Sequence, residues 1–223
     1  MMFSKAIFPQ EVKVTSDFGV WLGFDVEKKI FNGFDLNLEQ QIRTFKNTSE
    51  IEDYLLDINL KYPINQEFSL GTSGGYIYNK KKVKERENNF RYSIEIAYKK
   101  KILQKIKVQY RLMYQKEYVN FYTNLYYKLD GMPYQNIYFS EVRNKMKISF
   151  KKNANNELYI SSEIFRLSEI FREPHFNKVR FYLGDEIKTK IGEFDCSIGL
   201  EKELNSNNSY SFVFFKTIYV IKR

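Results

Sequence analysis

The side chains that could do chemistry in this chain are mainly arginines and carboxylates, which recur at every second residue along extended segments. If such segments are strands of one sheet, their charges share a face and meet when the sheet closes into a barrel. Because an unpaired charge in a barrel interior is costly, we expect these side chains to pair and to fill the interior. The residues predicted to form this charge network are Asp25, Glu39, Arg43, Asp53, Arg91, Glu95, Arg111, Glu141, Arg143, Arg180, Glu186 and Glu201.

Residue types that serve as nucleophiles, bases or metal ligands are scarce. The chain has one histidine, His175, which we place in a loop between two strands, and one cysteine, Cys196, on an apolar face. A single cysteine excludes an internal disulfide and a multi-cysteine metal site, and hydrolytic catalysis needs a nucleophile activated by a neighbouring base. Gly71, Gly74 and Gly75 lie in a strand pattern and precede no helix, so they do not form a phosphate-binding loop. We therefore expect no enzyme activity, no cofactor and no metal site.

The pattern that positions the charges is alternation with period two. From Phe18 to Val26, large apolar residues occupy one face and small or acidic residues the other, with Trp21 as the exception. From Phe90 to Tyr98, Phe, Tyr and Ile alternate with Arg91 and Glu95. These segments have about ten or more residues, the length with which a tilted strand crosses a membrane. Strands of soluble proteins usually have about five or six residues.

The segments predict an all-β fold, a single transmembrane antiparallel β-barrel of about twelve strands, with about ten as the alternative. About eleven strands are clear from Phe18 onward, and an antiparallel barrel needs an even number, so Ile7–Thr15 is the candidate first strand. Counted from the strand that begins at Phe18, short connections follow the odd-numbered strands, and longer ones follow the second, fourth, sixth and eighth. Periplasmic turns and external loops of membrane barrels differ in length in the same way. Residues 1–16 are thus an N-terminal segment that holds this candidate strand, and residues 17–223 form the barrel.

Composition favours a membrane barrel over a soluble one. The chain has 18 Tyr and 20 Phe, and tyrosines such as Tyr54, Tyr62 and Tyr114 recur near strand ends, where the aromatic girdles of membrane barrels lie. The mean hydropathy of -0.51 leaves no apolar stretch of about twenty residues that could span a bilayer as a helix. The alternative is a soluble all-β binding protein with its faces reversed, since both arrangements produce the same alternation.

The net charge of +9 raises the question of nucleic-acid binding. Aromatic and charged side chains lie on opposite faces of the predicted strands, so we expect no nucleic-acid partner. We expect outer-membrane lipid around the barrel, and the basic run Lys80–Arg86 to stay hydrated or to meet lipopolysaccharide phosphates. Met1–Pro9 contains an apolar patch too short for the core of a signal peptide. We therefore expect a bacterial outer-membrane protein whose signal peptide is absent from this sequence.

The sixth connection, at residues 117–135, is the longest and is rich in aromatic residues. A filled barrel without catalytic groups acts mainly through its loops, so we predict a structural or partner-binding component of a larger outer-membrane assembly. The alternative for this loop is a plug over the barrel mouth, and the alternative function is a small-solute channel. The candidate partner-binding residues are Tyr118, Phe121, Tyr122, Tyr126, Tyr127, Met132 and Tyr134.

Several sequence runs occur in a characteristic order. Residues 17–24 read DFGVWLGF, 36–43 read LNLEQQIR, 109–115 read QYRLMYQ and 178–184 read KVRFYLG. In order and spacing these runs resemble a Bacteroidota family catalogued as domain of unknown function 2490, and the similarity covers nearly the whole chain after Ser16. The resemblance implies an outer-membrane barrel and brings no assigned activity or catalytic residues. The aromatic stretch at residues 117–135 looks like an insertion relative to that family.

Overall fold

A computed structural model describes residues 15–80, 86–119, 138–169, 172–204 and 210–222. In these residues the chain is all-β apart from a 3-10 turn at Phe31–Gly33, and its strands form one closed barrel. No helix in the described part of the chain is long and apolar enough to span a membrane. The strands are β1 (Thr15–Lys29), β2 (Asp35–Phe45), β3 (Glu50–Pro63), β4 (Phe68–Lys80), β5 (Arg86–Lys101), β6 (Ile106–Tyr118), β7 (Tyr138–Lys151), β8 (Asn156–Glu169), β9 (Arg172–Lys188), β10 (Glu193–Glu203) and β11 (Tyr210–Lys222).

Strands that follow one another in sequence pair with one another in an antiparallel sense around the barrel. The β5–β6 ladder, for example, runs without a shift from the pair Phe90 and Tyr118 to the pair Lys101 and Lys107. Because successive side chains of a strand point to opposite faces, long ladders in register turn period-two alternation into an inner and an outer surface. The predicted all-β barrel is confirmed.

The barrel closes through a parallel pair, which corrects the prediction of a wholly antiparallel barrel with an even number of strands. β1 and β11 run in the same direction, in register from Thr15 with Tyr210 to Glu27 with Lys222. Eleven strands connected up and down place the first and last strands in the same direction, so that only a parallel pair can join them. Of the candidate strand Ile7–Thr15, only Thr15 is described, where β1 begins.

Side-chain contacts hold this parallel seam at both ends. At one end, Asp17 of β1 accepts hydrogen bonds from the hydroxyl of Tyr210 and from the backbone N–H groups of Lys46 and Asn47, at 2.8–2.9 Å. Lys46 and Asn47 have positive φ angles of 51° and 53°, a strained conformation for such residues, which these bonds stabilise. At the other end, the Lys222 ammonium lies 3.9 Å from Glu27 of β1 and 2.6 Å from Glu193 of β10.

The Asp17 carboxyl at this rim has a shifted pKa. Partial burial alone would raise the pKa, but the hydrogen bonds from the Asn47 backbone, the Tyr210 hydroxyl and the Lys46 backbone favour the carboxylate and lower the pKa below its ordinary value of 3.8. Asp17 therefore remains a carboxylate that ties β1, β11 and the β2–β3 turn together at neutral pH.

The two rims of the barrel differ in their connections. On the rim that we call uniform, all five connections have four or five residues, as predicted for the short turns. On the opposite, variable rim, the connections range from two to nineteen residues. The expectation of longer loops after the second and eighth strands was wrong, because only four residues follow β2 and two follow β8. The polar residues predicted to form the loop after the eighth strand instead belong to β9. His175 thus lies within β9 opposite Leu167, not in a loop.

The outer surface of the wall is apolar on every strand. Each of the eleven strands exposes at least one large hydrophobic side chain, with exposed fractions of 39–63% in one set taken around the barrel. A soluble barrel would bury these side chains and expose the charges. One outward residue from each strand in order is Leu22, Leu38, Ile58, Leu70, Ile94, Leu112, Met146, Ile160, Leu183, Ile198 and Phe215.

Candidate functional site: the charged interior of the barrel

The candidate site is the inner surface of the barrel, where the structure brings the predicted charge network together. All of the network residues except Glu95 line two cavities inside the barrel. Glu95 is buried and lies 3.6 Å from Arg111, measured from Oε2 to Nη1. The alternation of the strands therefore placed every one of these predicted residues on the inner face.

Glu163 of β8 lies at the centre of the ionic contacts. Its Oε1 accepts a hydrogen bond from Arg111 Nη2 at 3.0 Å and from Arg143 Nε at 3.0 Å, and Arg143 Nη2 lies 2.9 Å away. The Glu163 side chain is only 2% exposed, so its charge is compensated by these two arginines and not by water. Arg143 also donates to Gln115 Oε1 at 3.1 Å.

Further ion pairs on the inner face join strands that are adjacent or separated by one strand. Arg91 donates to both carboxylate oxygens of Asp57, and Arg180 donates to Glu201. Lys147 of β7 donates to Glu186 of β9. Lys216 Nζ of β11 lies 3.2 Å from Asp195 Oδ2 of β10. These pairs fill much of the interior with compensated charge.

Several members of this set were not predicted from the sequence: Lys147, Glu163, Asp195 and Lys216. For Glu163 the pattern is obscured because Ser161 and Ser162 put polar residues on both faces of β8 just before it. A count of inward positions from Tyr159 would have found it, since Tyr159, Ser161 and Glu163 share the inner face and are all buried.

An aromatic cluster inside the barrel was also missed. Trp21 stacks on Phe214 with ring centroids 3.7 Å apart, and Phe212 and Tyr182 lie 5.7 and 5.6 Å from Phe214. The alternation predicts most aromatic side chains on the outer face, with Trp21 as an exception, and gives no sign of an interior cluster. The cluster comprises Trp21, Phe45, Tyr159, Tyr182, Phe212 and Phe214.

Inward-facing glycines make room for these rings. A Cβ atom on Gly199 would lie 2.1 Å from the Cζ of Phe214, and one on Gly19 would lie 2.4 Å from the Cζ of Phe212. Each ring thus lies across a neighbouring strand that has no side chain at that position. Glycine on the inner face beside an aromatic residue is the sequence signal that could have revealed the cluster.

The described side chains leave at least two cavities between the pairs. The larger has a volume of about 400 Å³ and is lined mainly by polar side chains, among them Arg43, Arg180 and Lys216. The smaller has a volume of about 260 Å³. Glu39 and Lys216 line both cavities, so the two spaces are adjacent. The larger volume lies in the range of small-molecule sites, about 300–1,000 Å³.

The predicted partner-binding loop lies mostly outside the described residues, which include only Tyr118. Tyr118 belongs to the barrel wall, at the end of β6, and is not in a loop. Its ring lies 5.9 Å from that of Tyr138 and 6.3 Å from that of Tyr92, and Lys116 Nζ lies 3.8 Å from the Tyr138 ring centroid. The residues outside the description are Phe121, Tyr122, Tyr126, Tyr127, Met132 and Tyr134.

The remaining candidate chemical groups lie on the wall. His175 Nδ1 lies 3.1 Å from the backbone carbonyl oxygen of Glu173. Cys196 is partly exposed in β10, with its Sγ 3.8 Å from the Thr217 hydroxyl oxygen. Within the described ranges, no group of three or more His, Cys, Asp or Glu residues is placed to hold a metal ion.

Fold and interior together define a closed β-barrel with an ion-paired inner surface and an apolar outer surface. The sequence of residues 18–208 matches the family described as Protein of unknown function (DUF2490), from the beginning of β1 to the connection before β11. The chain belongs to this family, which confirms the resemblance seen in the sequence. No curated protein sequence matches the chain significantly.

Proposed function

We propose that this protein is an integral β-barrel of a bacterial outer membrane that acts as a structural or partner-binding component, without enzymatic activity. The single observation that carries the membrane assignment is the apolar outer surface on all eleven strands combined with the charged interior. In water so large an exposed apolar surface would be a liability, whereas in a bilayer it contacts lipid. The strands, with 11–17 residues each, are long enough to span a bilayer.

Aromatic pairs on the outer surface support the same proposal. Tyr54 and Tyr78 have ring centroids 6.1 Å apart towards the variable rim. Near the uniform rim, Tyr62 pairs with Phe34, with centroids 4.9 Å apart, and Phe68 with Tyr98 at the same distance. Rings at two heights on the outer surface match the two aromatic girdles of membrane barrels.

Membrane extraction tests this assignment against the alternative of a soluble all-β binding protein. Membranes from cells making the full chain with an export signal would be washed with alkaline carbonate and then extracted with detergent. We expect the protein in the detergent extract, migrating faster on gels when unboiled than when boiled. Native protein in the soluble fraction without detergent would contradict the membrane proposal.

A partner-binding role is supported by the placement of the longest connection. The connection at residues 119–137 leaves the wall at the variable rim between β6 and β7, and Tyr118 and Tyr138 flank it with packed rings. A long loop on a rigid wall is a common position for binding residues. The proposed partners are outer-membrane lipid, including lipopolysaccharide, and proteins of an outer-membrane complex.

A pull-down in mild detergent tests this role. Wild type would be compared with a variant lacking residues 119–132 and with a control variant lacking residues 205–209, a shorter connection on the same rim. We expect co-purifying proteins with wild type and the control, and their loss with the first deletion. An unchanged set after the first deletion would contradict a partner role for this connection.

The second candidate function, a small-solute channel, is favoured by the two adjacent polar cavities that share Glu39 and Lys216. We nevertheless propose that the barrel forms no wide pore, because ion-paired side chains such as Glu163 with Arg111 and Arg143 line the larger cavity and occupy interior space. Purified protein in planar bilayers should show no large, steady conductance. Such a conductance, if observed, would favour the channel.

The proposed absence of catalysis is supported by the surroundings of His175. A backbone carbonyl, not a carboxylate, contacts its Nδ1, and the residue lies in the barrel wall. Purified protein should not hydrolyse outer-membrane phospholipids. Hydrolysis by wild type that is lost in His175→Ala would show that this part of the proposal is wrong.

A further inference from the structure

We propose that the larger interior cavity contains a binding site for a small oxyanion, a carboxylate or phosphate group, formed by Arg43 with Arg180 beside Trp21. The inference concerns the barrel interior alone and holds whether or not the barrel lies in a membrane. It goes beyond the structural and partner-binding role proposed above.

The first observation is a guanidinium group without an ion-pair partner within 4 Å. Among the residues that the structure describes, no carboxylate oxygen lies within 4 Å of the Arg43 side-chain nitrogens. The side chain donates instead to the neutral Gln41 Oε1, from Nε at 3.2 Å and from Nη2 at 3.0 Å. The Nη1 side of the guanidinium is left for another acceptor, and a guanidinium edge suits the paired oxygens of a carboxylate or phosphate.

The second observation is a second guanidinium next to the first. The Cζ atoms of Arg43 and Arg180 lie 4.2 and 5.2 Å from the centroid of the same Trp21 ring. Arg180 is compensated by Glu201, but Arg43 is not compensated in the same way. Both cations line the larger cavity, and an anion bound close to both would offset their mutual repulsion.

The third observation is an unused donor in the same place. Trp21 is 4% exposed, lines the larger cavity, and its indole Nε1 has no hydrogen-bond partner. An indole N–H is only a donor, and burying it without an acceptor is unfavourable. Lys145 lines the same cavity, with its ammonium 5.1 Å from the Tyr182 ring and no carboxylate within 4 Å in the described ranges. The unsatisfied groups of this cavity therefore include cations and a donor that an anion would satisfy.

Asp53 is the internal competitor for this site. It is directly opposite Arg43 in the β2–β3 ladder and lines the same cavity, and its Oδ1 is buried without a hydrogen-bond partner. Rotation of the Asp53 side chain toward Arg43 would neutralise the guanidinium without any ligand. Removing the Asp53 charge should therefore strengthen binding of an external anion, whereas a purely structural Arg43 would show no such effect.

Trp21 makes the test direct, because it is the single tryptophan of the chain. Its fluorescence would be followed while sodium phosphate or sodium acetate is added to the purified full-length barrel, with sodium chloride at equal ionic strength as the salt control. We expect a saturable change with phosphate, acetate or both, and none with chloride alone. The comparison of the two anions tells whether the site prefers phosphate or carboxylate.

Variants locate the response. Arg43→Gln should weaken anion affinity at least about tenfold, because a charge-assisted bidentate contact is lost. Asp53→Asn should tighten it. Arg172→Gln removes the same charge from an exposed side chain at the variable rim and should leave the affinity unchanged. Each variant would first be checked for the folded, heat-sensitive gel band.

The proposal is overturned if wild type shows no saturable response, or if the response persists with unchanged affinity in Arg43→Gln. Should Arg43→Gln not fold, Asp53→Asn decides, because unchanged or weaker affinity in that variant contradicts the competition between Asp53 and the anion.

Discussion

Replacing Glu163 by glutamine tests whether the interior charges form a network isolated from water. The amide has nearly the same shape as the carboxylate but removes the charge that Arg111 and Arg143 share, at 2.9–3.0 Å. Breaking a buried ion pair by changing one partner typically costs about 3–5 kcal/mol. Arg143 keeps its contact with Gln115 and Arg111 keeps the carboxylate of Glu95 at 3.6 Å. We therefore expect a loss near the lower end of this range, about 3 kcal/mol in the free energy of unfolding.

The assay is reversible unfolding in denaturant, with wild type and variants in vesicles of the same phospholipid. Glu169→Gln is the matched control, because Glu169 lies on the same strand, is exposed, and has Arg172 only at 3.9 Å. An exposed pair of this kind should contribute less than about 1 kcal/mol. If Glu163→Gln is no more destabilising than Glu169→Gln, the interior is effectively solvated and the argument for a paired, water-poor network is refuted.

Three further predictions concern packing, pH and the apolar outer surface. Gly199→Ala should lower the yield of folded barrel because its Cβ would lie 2.1 Å from Phe214 Cζ, whereas Gly74→Ala, with open space around it, should fold normally, as judged by heat-sensitive gel migration. Because the pKa of Asp17 in the folded state is lower than its ordinary value of 3.8, the Asp17 carboxylate stabilises the fold at pH values above 3.8. This contribution is lost as pH falls through the folded-state pKa. Unfolding curves at decreasing pH should therefore show a larger loss for wild type than for Asp17→Asn. Ile58→Lys, at an outward position that is 54% exposed, should destabilise the barrel in vesicles by about 2–4 kcal/mol, as measured by unfolding in denaturant.

Each of these predictions has an outcome that contradicts it. Equal folding of the two glycine variants would mean that the aromatic cluster can move aside without cost. Parallel pH curves for wild type and Asp17→Asn would mean that the seam contacts of Asp17 add no stability. A stability of Ile58→Lys equal to that of Gln66→Lys, a control in an exposed turn, would mean that the outer surface is not in lipid.

The faces of the wall could be predicted from the sequence because they depend only on local alternation. Asp25 and Arg180 are far apart in sequence, yet each is inward simply because its apolar neighbours on the strand face outward. The closure could not be predicted in this way. Whether Thr15 and the residues after it meet β11 depends on the number and tilt of all strands, a global property that no local pattern contains.

Partner choice inside the barrel was also beyond the sequence pattern. The alternation indicates that Arg111 and Arg143 face inward, but not that both converge on Glu163. That choice depends on side-chain length and on the register between β6, β7 and β8. The alternation placed Trp21 on the inner face, but it could not show that the Trp21 ring stacks on Phe214 of the neighbouring strand. The connection after β8 was predicted too long because polar residues such as His175 extend β9 beyond the apolar band.

The central claim, that the apolar outer surface contacts lipid, is tested most directly by the accessibility of a spin label at position 94. Ile94 lies in the middle of β5, faces outward and is 58% exposed, and its neighbour Ser93 faces inward and is buried. Cysteine would be placed at either position in a Cys196→Ser background, labelled with a nitroxide, and studied in phospholipid vesicles. We predict that the label at position 94 collides more often with apolar oxygen than with a water-soluble nickel complex, and that the label at position 93 does not share this preference. Dominant collisions with the nickel complex at position 94 would contradict this claim.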